Sequence, residues 1–319
     1  MKYNLKRIVF TVALALTVSL SLSAGVANFK GATPLHLMAQ AVLPHPVPFR
    51  HAEGRGLLVR TWVNGSGPFT FAIDTGAGAT ILSDRVAREA GVDTSNSRPT
   101  EIGGLSGASV APAREASRLR SLAIGERDNL LPSSGTVVVT NRLPLEVDGV
   151  LDPTEAFWPL GYVIDMPNSE ISSFNPRLKP LRRNDLTPGG AVVPWIVRGS
   201  NRRPFVRLAD GRSALIDTGS SLGFALSATE ARAMGIDMNE ERHSGNVRRD
   251  LGGGRIIAHR VRPVTLSVGS LTLRNVPTDI LDGVATGSPL ILGRDALQPF
   301  QLVFDPVNRL IQFKPGDER

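Results

Sequence analysis

The chain has 319 residues, a formal net charge of +7 and no cysteine, which leaves room for one large or two medium lobes and excludes a disulfide framework, a thiolate nucleophile and a Cys-based zinc site. Four of its 36 lysines and arginines and none of its 29 acids lie in the first 41 residues, so the excess beyond them falls to +3. The basic residues are scattered among acids and aromatics are few, which argues against a nucleic-acid partner; the five dispersed histidines have no metal-ligand spacing, and neither metal nor other cofactor is expected.

Residues 1–41 carry Lys2, Lys6, Arg7 and Lys30 around an apolar run from Ile8 to Ala27, with small residues at Ala39-Gln40-Ala41. This pattern predicts a signal peptide, cut there or after Ala27, and an exported protein, periplasmic or secreted. Left uncut, the same run is long enough for an N-terminal membrane anchor. Residues 42–56, with Pro44, Pro46 and Pro48, read as an extended lead-in. The stretch LLVRTWV from Leu57, the turn Asn64-Gly65-Ser66-Gly67 and the return PFTFAID predict a hairpin that delivers Asp74-Thr75-Gly76. After Ala79-Thr80-Ile81-Leu82, Ser83 or Asp84 caps a short helix that stops at Gly91.

Much of this recurs. Arg203 to Leu208, the turn Asp210-Gly211 and the strand Ser213 to Ile216 deliver Asp217-Thr218-Gly219, and after Phe224-Ala225-Leu226 the capping box Ser227-x-x-Glu230 opens a helix that stops at Gly235. The two aspartates are 143 residues apart. The helix ends Ala87 to Asp93 and Ala231 to Asp237 are offset by 144, as are Leu122-x-Ile124-Gly125 and Leu266-x-Val268-Gly269. Each copy also closes on an apolar strand and an Asp-led turn, Tyr162 to Asn168 and Leu302 to Asn308. The pattern predicts an internal duplication: a first lobe over 57–174, a linker over 175–190 rich in Pro, Gly and charge, and a second lobe over 191–319. Short β-rich runs with Gly and Pro turns predict a mainly β architecture with two small helices.

If the copies pack about a local two-fold axis, Asp74 and Asp217 meet at strand ends and share one proton. One carboxylate then takes a proton from water while the other carboxyl donates to a carbonyl oxygen, as direct amide hydrolysis requires. Thr75 and Thr218 are placed to bond backbone across the interface, and Gly76 and Gly219 let N–H groups approach the carboxylates.

The stretches FAIDTGAGATIL and ALIDTGSSLGFAL, the glycine turns Gly103-Gly104 and Gly252-Gly253, and Ile291-Leu292-Gly293-Arg294-Asp295-Ala296-Leu297 resemble the bacterial retropepsin-like aspartic proteases, with two such units fused in one chain from about Leu57 to Phe313. The resemblance implies a bilobal acid-protease fold of two retropepsin-like β lobes, flaps at Gly103-Gly104 and Gly252-Gly253 over a cleft, and peptide hydrolysis by a water between Asp74 and Asp217. It implies a peptide or protein substrate, no cofactor, and a monomer, because one chain carries both aspartates. Ser220 follows the second motif where Ala77 follows the first, and its hydroxyl is expected to donate to Asp217, leaving the charge there and the proton on Asp74. The first copy departs from the pattern at Val150-Leu151-Asp152-Pro153. That departure motivates the alternative of an inactive peptide-binding protein, and Gly219-Ser220-Ser221-Leu222-Gly223 formally fits a serine nucleophile elbow.

Overall fold

The structure is a computed structural model that describes residues 43–105, 110–116, 119–133, 135, 137–143, 147–198, 202–236, 245–249 and 254–316. The leader-like segment 1–41, Asp237 and the second flap glycines Gly252 and Gly253 lie outside the described residues. Among the described residues twenty-two strands form three sheets, accompanied by four short helices. None of these helices is long and apolar enough to cross a membrane.

Each half builds its own sheet on the expected hairpin. Gly56–Val63 pairs antiparallel with Ser66–Ile73 through Asn64 and Gly65, both at positive φ, the requirement of a tight two-residue hairpin turn. In the second half Phe205–Arg207 pairs with Ser213–Asp217. The step that positions the site is long-range. Gly149–Leu151 inserts between Ser66–Ile73, to which it runs parallel, and Thr80–Ser83, to which it runs antiparallel. Leu290–Gly293 inserts in the same way between Ser213–Asp217 and Phe224–Ser227. Both insertions are apolar and fully buried, as a strand covered on two faces must be.

The third sheet takes strands from both halves, in the order Val47–Pro48, Glu170–Phe174, Gly161–Asp165, Phe300–Asp305, Leu310–Pro315, Ala191–Pro194. The Asp-led turns close its two hairpins alike: Asp165 accepts from the Asn168 N–H at 3.0 Å and Asp305 from the Asn308 N–H at 2.8 Å. Tyr162 faces Phe304 across the junction, their rings stacked 4.6 Å apart. One apolar core therefore runs through both halves. The Pro-rich lead-in belongs to this frame. Val47 and Phe49 are buried, and Pro48 sits on the edge strand, where its missing N–H costs no ladder bond.

Helix α1, Asp84–Glu89, is capped by Ser83, whose Oγ accepts from the Val86 N–H. Helix α2 spans Pro153–Ala156, helix α3 Ala228–Ala233 and helix α4 Arg294–Leu297. The capping box of α3 is half-made: Ser227 Oγ accepts from the Glu230 N–H, but the Glu230 carboxylate binds Arg212 at 3.1 Å instead of reaching back. α2 and α4 were not among the two helices expected from sequence. Each is one turn long and directly follows an inserted strand, too short for helical periodicity to register.

Candidate active site

The parallel insertions fix where the two acidic turns lie. Leu151 pairs with Ile73 and the Asp74 N–H donates to Leu151 O at 3.0 Å, while Leu292 pairs with Ile216 and Gly293 with Asp217. The turns meet at the interface of the halves through a reciprocal hydrogen-bond set. Thr75 Oγ1 donates to Ile216 O at 2.6 Å and accepts from the Thr218 N–H at 3.1 Å; Thr218 Oγ1 donates to Ile73 O at 3.1 Å and accepts from the Thr75 N–H at 3.1 Å. Both threonines are fully buried. Every hydroxyl and backbone group in this set has its partner in the other half, so separating the turns would break four hydrogen bonds at once.

Above this set the carboxyls of Asp74 and Asp217 come together, each packed against the glycine of the opposite turn. The glycines are needed for two reasons. Gly76 donates its N–H to Asp74 Oδ1 at 2.8 Å, and a Cβ on it would stand 2.8 Å from the Asp217 carboxyl carbon. A Cβ on Gly219 would collide with the Asp74 carboxyl. Each glycine thus makes room for the acid of the opposite half.

Removal from water, then the charge of Asp217, push Asp74 well above the usual carboxylate range, and a smaller contribution comes from Asp152. Asp217 is raised too by burial, but the Ser220 N–H, the hydrogen bond with Asp74, the Gly219 N–H and the Arg294 guanidinium all pull it back. The pair therefore holds a proton on Asp74 more firmly than on Asp217. The expected cause needs correction. Ser220 reaches Asp217 through its backbone N–H at 3.0 Å, while its hydroxyl accepts from the Leu222 N–H at 3.3 Å. A turn that aims the N–H at the carboxylate points the side chain forward along the chain.

The residues Arg294, named from sequence only within a motif, and Asp152, named only as a departure from it, both stand beside the dyad. Arg294 is only 8 % exposed and donates through Nη1 to Thr218 O at 2.6 Å and Gly219 O at 2.9 Å, beneath the second acidic turn. Asp152 is 1 % exposed; its Oδ1 accepts from the Thr154 N–H at 2.9 Å and caps α2, and Pro153 takes the first helical position, where it needs no N–H partner. The departure Asp152-Pro153 is thus accommodated without loss of strand register. The signals in the sequence were an arginine within the stretch Ile291 to Leu297 and an acid where the first copy departs from that pattern. Arg248 donates to Ser221 Oγ at 2.7 Å. Among the described residues the partner of that hydroxyl is thus a cation, which cannot take a proton from it.

Gly103 ends the strand Arg98–Gly103, which pairs with Val110–Ala116 as a flap-like hairpin. Just past it, Leu105 crosses to the second half. Its carbonyl accepts from the Ala285 N–H at 2.9 Å and from Ser288 Oγ at 3.1 Å, and its side chain packs on the cluster that contains Leu222, Ala225 and Ile291. Gly104 links these two positions. The glycines Gly252 and Gly253 lie between the described strands Asn246–Arg249 and Arg255–Val268, which pair antiparallel.

No curated protein matches the chain significantly. Among solved structures, an aspartic proteinase from Irpex lacteus aligns over 86 % of this chain and 97 % of its own, at 14 % identity and a TM-score of 0.49. The model of the aspartyl protease family matches residues 59–151 and 210–296, more than half of the chain in two segments, and each segment contains one Asp-Thr-Gly and the inserted strand beside it. Two such segments, with their acidic turns locked together by Thr75 and Thr218, place the chain in the aspartyl protease family as two fused units.

Proposed function

We propose that the protein is an endopeptidase in which a water held between Asp74 and Asp217 hydrolyses peptide bonds. The observation that carries this reading is that the carboxyl of each acidic turn packs against the glycine of the other, which brings two acids from the two halves to one place, where a single proton suits the pair. Asp217, ionised, takes a proton from the water as its oxygen attacks the carbonyl carbon. Asp74 gives its proton to the carbonyl oxygen. The neutral gem-diol then collapses: the amide nitrogen receives the proton held by Asp217, a diol hydroxyl returns one to Asp74, and the C–N bond breaks to give an acid and an amine. Each cycle restores the starting protonation, so no covalent intermediate is needed. The hairpin at Gly103-Gly104 and the strand bearing Arg248 flank the substrate path in this scheme.

The leader-like first 41 residues support action outside the cytosol, on exported or extracellular polypeptides, by a protein that works as a monomer. Incubation of the purified chain with a peptide library tests the reading. Cleavage by the wild type, abolished in both Asp74→Asn and Asp217→Asn with their melting temperatures retained, is the expected result. Cleavage that survives either substitution, or no cleavage between pH 3 and 8, would sink it.

A further inference from the structure

The two halves present different charges to the dyad from corresponding places. Residue 152 continues the strand Gly149–Leu151, whose last residue pairs with Ile73, so it stands beside Asp74 as Gly293 stands beside Asp217. In the first half this place carries a carboxyl, and in the second it carries no side chain: a Cβ on Gly293 would strike the carbonyls of Leu222 and Ser220. The next residue differs as well. Pro153 is apolar, whereas Arg294 sends its guanidinium back under the Thr218–Gly219 peptides. Room for that guanidinium comes from Gly56, where φ is +99° and a Cβ would sit 3.3 Å from Nη1. An acid is therefore built in on the Asp74 side and a cation on the Asp217 side, both buried where water screens little.

We infer that Asp152 and Arg294 are positioning residues that polarise the dyad, Asp152 holding the proton on the Asp74 carboxyl and Arg294 holding the negative charge on Asp217. The inference rests on the proposed hydrolytic reading for its purpose, but not for its test.

The groups that face these residues act in the same sense or are already paired. Asp152 meets Glu155, which is bound to Arg202 at 3.4 Å, and the buried Tyr162 hydroxyl, which hydrogen-bonds Thr154 at 2.8 Å. Burial and then the Glu155 charge raise Asp152 to about 7. Asp74 faces Asp217 and Asp152, and Asp217 faces Asp74 and Arg294. Arg294 itself is drawn on by Asp217, Asp74 and Asp295 and opposed by Arg248. Two buried acids and the partly buried Asp217 thus accompany the buried cation Arg294, which lies on the Asp217 side.

The test is a 13C titration of Asp side-chain carboxyls in the full chain, assigned with Asp74→Asn, Asp217→Asn and Asp152→Asn. The lower step of the dyad is expected to belong to Asp217 and the upper to Asp74. Asp152→Asn keeps an oxygen for the Thr154 N–H and removes the charge that Asp152 carries above about pH 7, so the Asp74 step, the upper one of the dyad, should fall by about 1 pH unit or more. Arg294→Gln should raise the Asp217 step, and Arg294→Lys should restore it. If Arg294→Gln does not fold, Asp152→Asn decides alone. A lower step assigned to Asp74, or an Asp74 step unmoved in folded Asp152→Asn, overturns the inference. In the cleavage assay the alkaline limb of kcat should follow Asp152→Asn to lower pH. The titration reads the polarisation even if no peptide is cut, so failure of the hydrolytic reading and failure of this inference are separate results.

Discussion

The turns at Asp74 and Asp217 share a backbone and differ in what surrounds it. Both end a central strand, both lie beside an inserted parallel strand, and each sends a threonine into the other half. Around Asp74 stand a third carboxyl and a proline; around Asp217 stand an arginine and two N–H donors. Apolar alternation and strand register set the frame, and these tolerate many side chains at the margins. The charges occupy those margins. A symmetric frame can thus hold an asymmetric pair of acids, which a reaction needing one acid and one base requires.

The largest expected effect removes the comparison altogether. Asp74→Asn and Asp217→Asn should each lower peptide cleavage on the order of 10^3-fold or more, read as kcat/KM on a library-derived peptide. Next come the threonines. Thr75→Val strips the 2.6 Å bond to Ile216 and leaves the Thr218 N–H buried without a partner, a loss of roughly 2–4 kcal/mol. Thr218→Val breaks the longer 3.1 Å bond to Ile73 and should cost less. Urea unfolding of both single variants and the double variant measures the difference, and equal costs would mean that the two turns are held alike.

Asp152 allows a comparison across pH. Its folded value of about 7 lies above the ordinary aspartate value near ~3.9, so the folded state binds this proton more tightly than the unfolded chain does. Stability is therefore undiminished below about pH 4, declines as pH rises towards 7, and stays reduced above it. Asp152→Asn removes that decline. It should match the wild type at pH 4 and exceed it at pH 8 by a few kcal/mol, roughly what three pH units imply. Denaturant midpoints at the two pH values check the sign; a variant less stable at pH 8 would show that the Asp152 charge is compensated in the fold. The smallest effect is Ser220→Ala. Since Asp217 is bonded by the Ser220 N–H, which alanine keeps, the acid limb of the cleavage profile should not move.

Much of the frame was legible in the residues because its signals are local. Asn64-Gly65 specifies its hairpin by φ, Ser83 and Ser227 cap helices three residues ahead, and Asp165 and Asp305 close turns onto Asn168 and Asn308. The spacing of the two Asp-Thr-Gly turns also spoke for their pairing. Other features needed partners distant in the chain. Gly149–Leu151 has no alternation and finds its place only against strands that end at Ile73 and begin at Thr80. The lead-in reads only as an extended Pro-rich chain until Glu170–Phe174 gives Val47 a neighbour.

The amino-acid pattern by itself determined a mainly β chain, two acidic turns and the strands that deliver them, because side-chain alternation and turn chemistry act over a few residues. Tertiary structure alone decided which atoms face each carboxyl. The Ser220 hydroxyl turned away, Arg294 came in under Thr218 and Gly219, Asp152 was sealed beside Asp74, and Leu105 reached Ala285. Electrostatic effects at a buried site depend on distances of a few ångströms between residues far apart in sequence, and those distances exist only once the halves have packed.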